Sequence, residues 1–75
     1  MPDRPERDAE RVYSVAEFVG RLRRLSDALE AGRPFEIQVA GERLYIPADA
    51  TLSIEHERSG GTEEVEFQLR WERRR

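Results

Sequence analysis

At 75 residues the chain has room for one hydrophobic core and no second domain, and its lack of cysteine removes disulfides, thiolate metal sites and thiol nucleophiles together. Its 13 basic and 16 acidic residues leave a net charge of −3, which excludes the uniform positive field that draws a protein onto nucleic acid. No apolar run approaches the roughly 20 residues of a membrane helix, and the opening Met1-Pro2-Asp3-Arg4 lacks a signal peptide's apolar stretch, so a cytoplasmic protein is predicted.

All 13 basic residues are arginine. Schiff-base chemistry and a P-loop ammonium are therefore excluded. A genome rich in G and C accounts for the bias; retention of arginine for forked carboxylate contacts is the other reading. With one histidine in the chain, a histidine-based metal site would need carboxylates to complete it.

Residues 1–9 hold two prolines and five charges without apolar periodicity and read as a disordered tail. A short extended piece is expected at 10–13, with Val12 pointing inward. Ser14-Val15-Ala16-Glu17 has the form of a capping box, in which hydroxyl and carboxylate each satisfy the other residue's backbone N–H. Val15, Phe18, Val19, Leu22, Leu25 and Leu29 follow at spacings of three and four, predicting an amphipathic helix. Gly32 and Pro34 end it. Gly20 within it costs about 1 kcal/mol against alanine, and close approach of a strand would explain its presence.

From Phe35 the period becomes two. Phe35, Ile37 and Val39 alternate with Glu36 and Gln38; a turn is predicted at Gly41-Glu42; Leu44 and Ile46 carry the same face back. Pro47-Ala48-Asp49 breaks that strand. Leu52, Ile54 and His56 form the next stripe, and Val65, Phe67, Leu69 and Trp71 the last, across a Gly60-Gly61 turn. That turn pairs Arg58 with Glu63, Ile54 with Phe67, Leu52 with Leu69 and Ala50 with Trp71, so turn chemistry and hydrophobic pattern select one register. The expected fold is a two-layer α+β domain over residues 10–73, with one helix covering a four-stranded antiparallel meander, or five strands if residues 10–13 join. Its outer face is polar. So small a core, without disulfide or metal, makes self-association a route to stability, and a homodimer is expected.

Glu66-Phe67-Gln68-Leu69-Arg70-Trp71 is an amphipathic strand ending in tryptophan. It follows the Leu22 to Gly32 helix and the Ile54-Glu55-His56-Glu57 strand. In that order and spacing the chain resembles the amphi-Trp domain family of small bacterial and archaeal proteins, over residues 10–73. The resemblance implies a small α+β domain closed by a tryptophan strand; it brings no reaction, cofactor or catalytic residue.

Candidate sites follow from the register. Glu55, Glu57, Glu64 and Glu66 share one exposed patch that could hold a hard cation or a partner's arginine; a solvated, salt-screened face is the plainer account. His56 faces Val65, its neighbours Glu55 and Glu57 point to the other side, and a structural role is expected. Trp71 either closes the core or anchors a second subunit, with Arg70, Arg73 and Tyr45 as further candidate interface residues. The terminal arginines, 74–75 included, give an alternative function as a weak nucleic-acid or anion binder, against which stands the acidic balance of the whole. No serine has a base positioned to activate it. The sequence reading is therefore a non-enzymatic structural or interaction module without cofactor, self-associating or binding an unidentified protein.

Overall fold

The computed structural model describes residues 9–73. Residues 1–8 of the expected tail and the basic terminus 74–75 lie outside them. The chain is an α+β fold: helix α1 (Val15–Ala31), then strands β1 (Phe35–Val39), β2 (Glu42–Ile46), β3 (Thr51–Ser59) and β4 (Thr62–Arg70).

Helix α1 starts and stops where its end chemistry requires. The Glu17 backbone N–H donates to the Ser14 hydroxyl at 3.2 Å, and the Ser14 N–H donates to Glu17 Oε1 at 3.2 Å. The Ser14 backbone N–H, followed by its hydroxyl, holds the Glu17 carboxyl below the usual carboxylate range. At the other end Gly32 is left-handed (φ 66°), and the N–H groups of Gly32 and Arg33 return to the carbonyls of Leu29 (3.2 Å) and Ala28 (2.9 Å). That is the Schellman arrangement, and glycine adopts it without a Cβ penalty.

Both hairpins form, each through a two-residue turn. Between β3 and β4 the register is the expected one, Arg58 to Glu63, Ile54 to Phe67 and Leu52 to Leu69. Gly60 has φ 58°, as the first central residue of a type II′ turn requires. Between β1 and β2 the turn falls one residue earlier than predicted. Ala40 (φ 48°) and Gly41 (φ 86°) are both left-handed, as in type I′, and Val39 opposes Glu42. The two registers differ by two residues in pairing and keep every side chain on the same face, so alternation could not separate them.

The single four-stranded meander does not form: β1 pairs only with β2 and β3 only with β4, giving two two-stranded sheets. Residues 10–13 form no strand, and Val12 is exposed. Gly20 has no atom within 4 Å of the Cβ it lacks, so no strand approaches it.

The core is short. Ala28, Phe35 and Ile46 are buried, with Leu25, Ile37, Ala50, Leu69 and Trp71 packed against them. Phe35 and Ile46 are directly opposed across the first hairpin. Helix α1 meets this core on the flank carrying Leu25 and Ala28, roughly a quarter turn from the centre of its apolar stripe. The physical reason is width. A helix about 10 Å across covers about two strands spaced ~4.8 Å apart, and here it covers the first hairpin. The second hairpin is anchored at its base by Leu69 and Trp71, and every residue of β3 is exposed. The radius of gyration, 14.1 Å, exceeds the ~11 Å of a closed domain of this length. No helix among the described residues is long and apolar enough to cross a membrane.

Candidate interaction surface

Strand alternation places Leu52, Ile54, Val65 and Phe67 on one face of the second hairpin. Their exposures are 54%, 67%, 61% and 68%. These are the residues expected to lie under the helix. The helix contributes its own uncovered side chains, Val15, Phe18, Leu22 and Leu29. An open trough of about 930 Å³ is lined by Phe18, Leu22 and Leu25 of the helix, Phe35 and Ile37 of the first hairpin and Val65 and Phe67 of the second, together with residues of the 9–13 entry segment. A smaller groove of about 300 Å³ continues it toward the base, between Leu25 and Leu29 of the helix and Leu52, Ile54 and Leu69 of the hairpin.

Trp71 is half-buried against the core, in keeping with closure of one end. Arg70 and Arg73 are exposed and line, with Trp71, a shallow cleft of about 390 Å³. Asp49 and Glu72 line the same cleft, so its positive charge is offset. Tyr45 is 69% exposed on the outer face of the other hairpin and is not part of that cleft. The structure thus brings together three of the four expected interface residues, beside the core and away from the large apolar surface.

On the outer face, carboxylate oxygens of Glu55, Glu57 and Glu66 lie within 4.8 Å of one another; Glu64 is not part of the group. Gln68 donates to Glu55 Oε1 at 2.9 Å, and the Ser53 hydroxyl donates to Gln68 Oε1 at 3.1 Å. Neutral amide and hydroxyl groups thus interleave the like charges, which suits a solvated face.

The sequence missed the partner of His56. Its Nε2 lies 2.8 Å from Glu63 Oε1, and Arg58 donates to the same oxygen at 3.1 Å. A carboxylate has no proton to give, so Nε2 carries the hydrogen. Arg58, and after it His56, holds the Glu63 carboxyl below the usual range. His56 opposes Val65, which puts Glu63 on the diagonal two residues away; Arg43 and Glu36, 2.9 Å apart, form the same diagonal on the first hairpin, and their hydrogen bond raises the Arg43 pKa. Diagonal reach across a strand pair was the available signal. At the entry to the helix, Tyr13 is half-buried with the guanidinium groups of Arg21 and Arg11 over its ring at 4.2 and 4.9 Å.

No protein-family model, curated protein or solved structure matches the chain. The surface itself offers a large apolar contact area.

Proposed function

We propose that the protein is a non-enzymatic structural or interaction module of the cytoplasm, of amphi-Trp type, whose working partner is a second copy of itself. One observation carries this reading: the apolar face of the β3–β4 hairpin is bare, with Phe67 at 68% and Ile54 at 67% exposure. An exposed apolar patch above a few hundred Å² is a contact surface in most monomer-sized domains. With three buried hydrophobic residues among the described ones, that contact is a source of stability as well as of assembly. In such an assembly each helix is covered by four strands, two of its own and two of its partner, and the two-layer arrangement of the sequence pattern is completed between chains.

Sedimentation velocity on the whole chain from micromolar to millimolar concentration tests the reading. A reversible monomer–dimer equilibrium is expected. A monomer throughout that range would remove self-association.

A further inference from the structure

Resting on that self-association, the geometry points to reciprocal docking: residues 54–67 at the far end of each second hairpin cover the α1 helix of the other copy. The strands of this hairpin are nine residues long against five in the first, so its far end extends beyond the first hairpin's length. Its base is fixed in its own chain by Leu69 and Trp71. Its far end is not closed on its own helix, because Phe18 and Phe67 both remain more than half exposed across the trough.

Area and reciprocity select a second copy as occupant. Phe18, Leu22, Ile54, Val65 and Phe67, at on the order of 100 Å² each, present about 500 Å² of apolar-rich surface per chain, more than half of the ~800 Å² per partner in a standard interface. The helix stripe and the hairpin face are uncovered in the same chain, so one contact about a two-fold axis covers both at once in each copy. Hairpin against hairpin would leave Phe18 and Leu22 in water. The four glutamates on the outer face of the hairpin stay clear of this contact, and Glu63 on the docking side is already paired with Arg58 and His56.

The chain has no cysteine, so introduced thiols report without background. Whole chains carrying Leu22→Cys are mixed with whole chains carrying Phe67→Cys, oxidised with glutathione disulfide, and the cross-linked dimers are separated by mass. The mixed disulfide is expected to exceed the sum of the two homodisulfides, and Phe18→Cys with Val65→Cys should repeat the result. In the unsubstituted protein, a mixture of isotope-labelled and unlabelled chains should give filtered NOEs between Leu22 methyls and the Phe67 ring. A dimer by light scattering with random or homodisulfide-dominated cross-links, and without those NOEs, overturns reciprocal docking and leaves self-association standing. A monomer by light scattering overturns both.

Discussion

Replacing Phe67 by serine separates what this side chain does in one chain from what it does between chains. Phe67 is 68% exposed. Of the 150–250 Å² that a phenylalanine can bury, about 130 Å² is therefore still open to water. At ~25 cal/mol per Å² its full burial is worth about 3 kcal/mol per copy, or about 6 kcal/mol per symmetric dimer. Association loses part of this to ordering and imperfect desolvation; a third of it, about 2 kcal/mol, corresponds to ~30-fold in the dissociation constant. Phe67→Ser is thus expected to raise the dimer dissociation constant at least ~30-fold by sedimentation equilibrium. Within the single chain the substitution touches little, so the thermal midpoint at the lowest measurable concentration should move slightly. Phe35→Ala is the contrast: Phe35 is 8% exposed, and its loss should cost about 3–5 kcal/mol at any concentration. An unchanged dissociation constant for Phe67→Ser refutes the contact. So would a low-concentration midpoint that falls as far as that of Phe35→Ala, because Phe67 would then belong to the chain's own core.

Three further outcomes test the local physics. Ala40 holds φ 48° in a turn whose second residue is already glycine; Ala40→Asn supplies the Asn-Gly pair of a type I′ turn and should stabilise by about 1 kcal/mol in urea unfolding. Gly20→Ala adds a methyl group to a helix position with no atom within 4 Å, and should likewise stabilise by about 1 kcal/mol, read as a higher thermal midpoint. The Glu63 carboxyl is depressed by Arg58 and His56, so its contribution is present above the ordinary carboxylate pKa and lost as pH falls through the lowered one. Glu63→Gln should accordingly lower the midpoint modestly at pH 7 and leave it unchanged at pH 2, in melts followed by circular dichroism.

Elements set by near neighbours were legible in the residues. The capping box at Ser14 and Glu17, the Gly32 stop and the Gly60-Gly61 hairpin each depend on groups within a few positions, where spacing alone fixes geometry. The Ala40-Gly41 turn was not, since a two-residue change in pairing leaves Ile37 and Leu44 on the same side and the pattern unchanged. The contact of His56 with Glu63 was missed because the reading considered its neighbours in sequence and the residue directly opposite, and left out the diagonal. Among the candidate interface residues, Trp71 packs against the core, one of the two places the sequence left open for it, while the larger bare surface lay in residues assigned to the interior.

That last difference has a geometric origin. Alternation says which face of a strand is apolar; it does not say whether the chain owns enough helix to cover it. Seventeen residues of helix extend about 25 Å, and nine residues of strand about 30 Å, so one helix matches one hairpin in length and in width. The first hairpin is joined to α1 by the three-residue link 32–34 and takes that cover through Phe35 and Ile46. Pro47, next to the end of β2, has no N–H to donate to a neighbouring strand, and the 47–50 connection separates the second hairpin from the first. On the proposed reading, a sequence whose every strand is patterned for a core, with helix enough for half of them, takes the remaining cover from outside the single chain. If millimolar solutions of this protein hold only monomer, with Ile54 and Phe67 in water, the bare face would have to be satisfied by another protein, and the completed two-layer unit would be a hetero-complex.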